Sequence, residues 1–167
     1  MSSTGMCTAS ASRRWTVTEA SAVLIVKLQP ADLAQLQDLL QANQLPGDDC
    51  AEQLPALFGV FDQERMMAAG GLEVVGEYGL LRSIVVDSAY RGQGLATAIT
   101  EFLLAEAERR GLHGLYLLTE TAESYFTRFG FARVARSEAP AGIIATRQFA
   151  DLCPDNASFM RLHLDPR

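Results

Sequence analysis

The stretch from Gly79 to Leu118 constrains the fold most. An apolar, β-like run, Gly79–Val86, leads through Asp87-Ser88-Ala89-Tyr90-Arg91 into a long helical pattern, Gly92–Arg110, and a short apolar run, Gly114–Leu118, follows. In the helical pattern Leu95, Ala98, Ile99, Phe102 and Leu103 fall on one face, while Glu106, Glu108, Arg109 and Arg110 collect towards the end that Gly111 stops. A helix with one apolar stripe has to cover a sheet, and strand, helix, strand in that order makes a parallel crossover.

The other segments add strands around that unit. Val23–Leu28 reads as a strand, and Pro30 opens a helix whose Leu33, Leu36, Leu39 and Leu40 recur at helical spacing. Asn43–Asp49, containing Leu-Pro-Gly-Asp-Asp, breaks that helix, and Ala51–Pro55 is too short for more than a turn or two. Leu57–Phe61, Arg65–Val75 and Gly79–Val86 then predict an antiparallel meander, with Glu77-Tyr78 as the second turn between Gly76 and Gly79. Downstream, Thr121–Phe129 reads as a short helix closed by Gly130, Phe131–Ala135 as a strand, Thr146–Leu152 as a helical turn and Ser158–Leu164 as the last strand. The order βα-βββ-αβ-αβ-β predicts a single α+β (α/β) domain on a mixed sheet over residues 22–167, behind a loosely ordered Ser-, Thr- and Ala-rich tail, Met1–Ser21.

Composition narrows the function. With 167 residues, 49% of them apolar and 20% charged, the chain can fill one core, which excludes a wholly disordered protein. Its 14 Lys plus Arg stand against 20 Asp plus Glu, and basic residues gather only in pairs such as Arg13-Arg14 and Arg109-Arg110, so nucleic acid is not an expected partner. No apolar run approaches the roughly 20 residues of a bilayer crossing, so no membrane partner is expected, and the tail holds no apolar block like a secretory signal. Cys7, Cys50 and Cys153 make an odd count without CxxC or Cys/His spacing, which points to reduced thiols in a cytoplasm and to no metal site. His113 and His163 have no paired ligands and receive no role.

Gly92 and Gly94 stand between strand and helix. Glycine lets the backbone approach a ligand closely, and the unpaired N–H groups of a first helical turn, at the positive end of the helix dipole, point outward. Such a place suits a pyrophosphate. The two glycines would equally permit a tight turn with no ligand; the βαβ context and the amphipathic helix favour the ligand. A dinucleotide-binding unit wants G-x-G-x-x-G directly after the strand and an acid about 20 residues on, which Glu120 would supply. Against it, Asp87–Arg91 separate strand from glycine, and Thr97 stands where the third glycine belongs.

The rival ligand is coenzyme A. Arg91-Gly92-Gln93-Gly94-Leu95-Ala96 matches a Gln/Arg-x-x-Gly-x-Gly/Ala motif behind the apolar strand Leu81–Val86; Leu115–Leu118 looks like the next parallel strand, and Ala122–Phe131, ending Phe129-Gly130-Phe131, like a helix and Gly-Phe turn. On these residues, from about Ala22 to Leu164, the sequence resembles the GNAT acetyltransferase family. Leu80–Ser83, Leu118–Glu123 and Cys153-Pro154 with Met160 look most like the small acetyltransferases encoded beside arsenic-resistance genes, and Leu118–Phe131 is similar to the acetyltransferase domain of N-acetylglutamate synthase.

The resemblance implies a GNAT fold: a mixed sheet flanked by helices and splayed between Leu81–Val86 and Gly114–Leu118, with acetyl-CoA as cosubstrate in the opening. The backbone of Ile84, Val85 and Val86 would pair with the pantetheine amides, and the N–H groups of Arg91, Gly92, Gln93, Gly94, Leu95, Ala96 and Thr97 would hold the pyrophosphate. A strand amide near Val86 would polarise the thioester carbonyl. The implied activity is direct acetyl transfer to a small amine, an amino acid or a like compound. Two other readings stand beside it: an NAD(P)- or nucleotide-binding α/β enzyme using the same loop, and an acyl-CoA-binding sensor without turnover.

The sequence departs from the family at the acid. Family members often place a Tyr four residues before the Gly of the Gly-Phe turn, and here that residue is Phe126. Tyr125 is the candidate acid, but one helical step is about 100°, so it does not simply replace a Tyr at 126; its alternative is packing, and the thiolate can leave without an enzymic acid. In the meander, a Glu77-Tyr78 turn sets Glu73 opposite Arg82. The pair either holds register as a cross-strand ion pair, or Arg82 receives a substrate carboxylate while Glu73 takes the amine proton through water. Thr119, at the C-terminal end of its strand, is a candidate substrate contact, and Thr121 a cap for the following helix. Cys153 alone is a poor chelator of trivalent arsenic and reads as a buried thiol. Ser158–Leu164, taken as an edge strand, would admit a homodimer by strand pairing.

Overall fold

The computed structural model describes residues 23–152 and 156–165. The expected tail, Cys7 and Cys153 lie outside the described residues. Seven strands form one sheet: β1 (Val26–Lys27), β2 (Leu57–Asp62), β3 (Arg65–Val75), β4 (Tyr78–Val86), β5 (Gly114–Thr119), β6 (Ala132–Arg133) and β7 (Ser158–His163), in the order β1-β2-β3-β4-β5-β7-β6. The helices are α1 (Leu33–Ala42), α2 (Leu95–Arg109), α3 (Glu123–Thr127) and α4 (Ala141–Ile144). β4 and β5 pair in parallel, from Tyr78 opposite Gly114 to Leu80 opposite Tyr116. The β1–β2, β2–β3, β5–β7 and β6–β7 pairs are antiparallel, so this is the expected mixed sheet and not the doubly wound parallel sheet of a dinucleotide-binding unit. No helix among the described residues is long and apolar enough to cross a membrane.

The described chain forms two compact units whose boundaries fall inside β3, β4 and α2. In the unit made of residues up to Gly71 and Ser83–Phe102, α1 buries Leu36, Leu39 and Leu40 with Leu57, Met66, Ala69 and Val85. Pro30, whose ring presets φ, opens a 3-10 turn before α1, and Asp32 Oδ2 accepts the Gln29 N–H at 2.7 Å. At the other end the Leu45 N–H reaches Leu40 O at 2.9 Å and the Gln44 N–H reaches Gln41 O at 3.0 Å, a Schellman closure with Gln44 at φ +60 where glycine is usual. In the unit made of Leu72–Arg82 and the chain from Leu103 on, Leu80, Tyr116, Ile143 and Phe159 form the core, with the Tyr116 and Phe159 rings stacked 5.2 Å apart.

The hairpin between β3 and β4 differs from expectation. β3 ends at Val75 and β4 begins at Tyr78, so Gly76 and Glu77 make the turn, not Glu77 and Tyr78. Gly76, at φ +62, holds the first central position of a type II′ turn, which needs a positive φ. Gly79 lies instead inside β4, where a Cβ would meet Leu72 and Leu115 at 2.7 and 2.8 Å. Further on, the Asp87 N–H bonds Met67 O at 2.8 Å, and from the turn to that bond the β4 side carries one residue more than β3. Ser83, at φ +59, is where the surplus residue bulges.

The last strand is also placed differently. β7 lies between β5 and β6, pairing with β5 from Ser158 opposite Thr119 to His163 opposite Gly114 and with β6 through Met160 and Arg161. It is not the edge strand that the sequence suggested as a place for pairing with a second copy.

Candidate functional site

β4 delivers the chain to Asp87, whose carboxylate stiffens the turn beyond it. Oδ1 accepts the Ala89 N–H at 2.9 Å, opening the 3-10 turn Ser88–Tyr90, and Oδ2 pairs with Arg65 at 3.0 Å. The bond from Ala89 first, and Arg65 second, hold Asp87 below the usual carboxylate range. Arg65 also lies 5.2 Å over the Tyr90 ring, and the Tyr90 hydroxyl donates to Asp62 at 3.2 Å. Loss of water contact, and then that bond, raise the Tyr90 hydroxyl above its ordinary range, so it stays protonated as the donor.

Behind this clamp, Gly92 and Gly94 both sit at φ +81, and a Cβ on either would meet nothing within 4 Å. Their freedom is used to turn the chain beside open space, not to pack it closely. α2 starts at Leu95, with its first intrahelical bond from the Ala98 N–H to Gly94 O at 3.0 Å. The amides of Leu95, Ala96 and Thr97 precede that bond and so have no partner within the helix. Arg91, Gly92, Gln93 and Gly94 are exposed, Ala96 and Thr97 half-buried, and Leu95 is buried, so the loop is pinned by Leu95 and otherwise faces outward. Amides without an intrahelical partner at the positive end of a 15-residue helix, beside the open space at Gly92 and Gly94, fit an anion of the pyrophosphate kind.

Beside the loop lies a cavity of about 310 Å³, where Gln35, Asp38 and Asn43 face Arg65, Ser88 and Arg91. Arg91 donates to Asn43 Oδ1 across it. Within β4, Val85 turns into the α1 core while Ile84 and Val86 are half-buried, the alternation of a strand with one covered face.

The other predicted residues fall as follows. Arg82 has a fully buried side chain and meets Glu73 at 3.3 Å; Glu73 keeps 15% of its side chain exposed. The contact is the predicted one, but strands that close on Val75 and Tyr78 make it diagonal, with Glu73 facing Leu80. Thr119 Oγ1 accepts the Ala122 N–H at 3.0 Å, so Thr119 closes the approach to α3, and Thr121, expected to do so, is exposed. In the same turn the Ser158 hydroxyl donates to Glu123 at 2.7 Å. Phe126 is buried, edge-on to Phe131 at 5.9 Å. The Tyr125 ring packs on Phe126 and Phe129, at 5.0 and 5.3 Å, beneath the Arg128 guanidinium at 5.2 Å.

Asn43, Arg65, Tyr90 and Asp62 were not singled out by the sequence. The only local signal was Asp87 ahead of Ser88-Ala89-Tyr90, the pattern of a side chain capping the next turn. The other contacts join residues 22 to 48 positions apart.

A mixed sheet with a parallel crossover, and at that crossover an open glycine turn at the start of a long helix, make a place suited to a phosphate-bearing ligand at a strand end. The chain belongs to the Acetyltransferase (GNAT) family, whose model matches residues 26–131. It is 29% identical over 91 residues to the uncharacterized N-acetyltransferase YobR of Bacillus subtilis; the match takes in 50% of this chain and spans only 37% of that protein. Solved structures alike in fold include Rv2747 from Mycobacterium tuberculosis in complex with CoA, with TM-score 0.70, 21% identity and coverage of 84% of this chain and 98% of that one. N-acetylglutamate synthase from Neisseria gonorrhoeae, complexed with coenzyme A and N-acetyl-glutamate, gives TM-score 0.72 at 13% identity over 84% of this chain and 34% of that one. The ribosomal-protein-S18-alanine N-acetyltransferase from Escherichia coli gives 0.67 at 24% identity over 86% and 94%.

Proposed function

We propose that the protein is an acetyl-CoA-dependent N-acetyltransferase acting on a small amine, an amino acid or a compound like one. The observation that carries this is the open Gly92–Gly94 turn lying inside the family match. Acetyl-CoA would supply an activated acetyl thioester. The amides from Arg91 to Thr97 would hold its pyrophosphate, the backbone of Ile84, Val85 and Val86 would take the pantetheine arm, and an amide near Val86 would polarise the thioester carbonyl. The acceptor amine then needs chiefly to be placed and deprotonated.

Glu73, the partly exposed member of the buried pair, is the proposed base, acting through water, and Arg82 is the proposed anchor for a substrate carboxylate. Thr119 accepts its cap bond and keeps its hydroxyl proton to offer a substrate. Tyr125, the candidate donor to the leaving thiolate, has its ring packed on Phe126 and Phe129 beneath Arg128, and that packing, with the acidity of a thiol, favours departure of the thiolate without an enzymic acid. Glu73→Gln is expected to cut kcat by about 100-fold in the folded protein, and to lower the melting temperature as well because it leaves the buried Arg82 guanidinium without its carboxylate. Arg82→Ala leaves Glu73 without its cation and is expected to cost about 3 kcal/mol of stability in urea melts.

Thiol release from acetyl-CoA in the presence of pooled L-amino acids tests the activity, with coenzyme A and NADH binding followed by calorimetry. Release that depends on one amine establishes the transferase and names its substrate class. Binding of coenzyme A without release from any amine favours the sensor, the reading that the buried Phe126 supports. NADH binding without coenzyme A binding overturns both.

A further inference from the structure

Two arginines line the cavity beside the glycine turn, and they are held in different ways. Arg65 is paired with the Asp87 carboxylate at 3.0 Å and stacked on Tyr90, so its charge is spent within the protein. Arg91, the first residue of the glycine motif, is bonded to a neutral acceptor, Asn43 Oδ1, and forms no ion pair among the described residues; the Asp87 carboxylate feels its charge, but less than that of Arg65. Asn43 is itself fixed. It ends α1, its N–H reaches Leu40 O at 3.1 Å, and its Nδ2 donates to Leu39 O at 2.9 Å. A carbonyl on one side and a guanidinium on the other allow only one orientation of the side-chain amide, nitrogen to Leu39 and oxygen to Arg91.

We propose that Asn43 is a positioning residue for the coenzyme: from the last turn of α1 it holds the Arg91 guanidinium at the glycine turn in its bound-like placement, without cancelling its charge. This rests on the reading of the loop as the coenzyme A pyrophosphate site. A long exposed arginine side chain loses conformational freedom when it grips a phosphate, and a tether in the free protein removes part of that loss in advance. A carboxylate at position 43 would tether more strongly but would compete with the phosphate; an amide tethers and leaves the charge to the ligand. The same tie links α1 to the motif across 48 positions of sequence, which no local pattern signals.

The test is a double-mutant cycle on coenzyme A binding, read by calorimetry, with melting temperatures measured beside it. Asn43→Ala is expected to raise Kd about 3- to 10-fold when Arg91 is present and to have almost no effect when Arg91 is Ala. With acetyl-CoA its KM should rise by the same factor while kcat at saturation stays within about twofold. Equal losses in both backgrounds, or no loss in either, overturn the proposal. If Asn43→Ala unfolds the end of α1, Asn43→Asp keeps an acceptor for Arg91 and decides the matter: weaker binding with a shallower salt dependence supports the neutral tether, and native affinity overturns it. If the native protein itself does not bind coenzyme A, the reading of the loop fails, and the role of Asn43 with it.

Discussion

Twice the chain leaves one of the two parallel strands for a helix, from β4 into α2 and from β5 into α3, and the two connections differ in what surrounds the turn. After β5, Thr119 accepts from Ala122, Glu123 accepts from Ser158, and Phe126 enters the core, so the turn is closed by its own side chains. After β4, Asp87 satisfies Ala89 early, and the chain then runs beside open space through two glycines at φ +81 to the first turn of a 15-residue helix. Helix N-termini need partners for their N–H groups. α3 also starts without a side-chain cap, so the difference is one of room and length: the 15-residue helix behind the open glycine turn is where an outside anion belongs.

Gly94→Val tests that contrast most strongly. A valine at φ +81 is strained by about 1–2 kcal/mol and places its side chain in the space above the amides. Coenzyme A affinity should fall on the order of 100-fold, about 2.7 kcal/mol, in calorimetry. The melting temperature should fall only as far as the strain requires. Native affinity in a folded Gly94→Val protein would show that the open amides are not the site.

The closed connection should behave in the reverse sense. Thr119→Ala removes the acceptor for the Ala122 N–H and is expected to cost about 1 kcal/mol in urea melts, leaving coenzyme A affinity unchanged. Its effect on the amine KM then tells whether the Thr119 hydroxyl also meets substrate.

The open connection was legible in the sequence because its signals are local: strand, glycines and amphipathic helix follow one another without a break. β3 was legible to the residue, Arg65–Val75, for the same reason. The hairpin was misplaced because Gly76 and Gly79 look alike in sequence. One supplies a positive φ and the other makes room for Leu72 and Leu115, a contact set by packing at a distance. Thr119 and Thr121 were exchanged as caps because both flank Glu120, and only the path of the chain decides which reaches Ala122. β7 passed for an edge because strand order is a property of the sheet, not of the strand.

Tyr125→Phe bears on whether the closed connection contributes chemistry. Loss of a general acid costs about 100-fold or more in kcat, whereas Tyr125→Phe keeps the ring that lies edge-on to Phe126 and Phe129 beneath Arg128. The packing predicts kcat within about threefold of native under saturating acetyl-CoA. A loss of about 100-fold would make α3 part of the catalytic machinery, and the two connections would then share the reaction.

The smallest effect concerns how the open connection is kept in place. Asp87 is bonded to Ala89 and paired with Arg65, and its folded-state pKa lies below its unfolded value. A depressed carboxylate adds stability that is fully present above the unfolded value, about pH 4, and that is lost as pH falls through the folded value. Asp87→Asn keeps an oxygen for the Ala89 N–H but gives up the charge. Because Arg65 is more than half exposed, solvent and salt screen the pair, and the melting temperature at pH 7 should fall by no more than about 3 °C. The gap between native and variant proteins should then close on acidification from pH 7 to about pH 3, since protonation removes from the native protein the charge the substitution has already removed. A gap that stays constant would assign the anchoring to hydrogen-bond geometry alone, and the charge on Asp87 would have no part in holding the loop open.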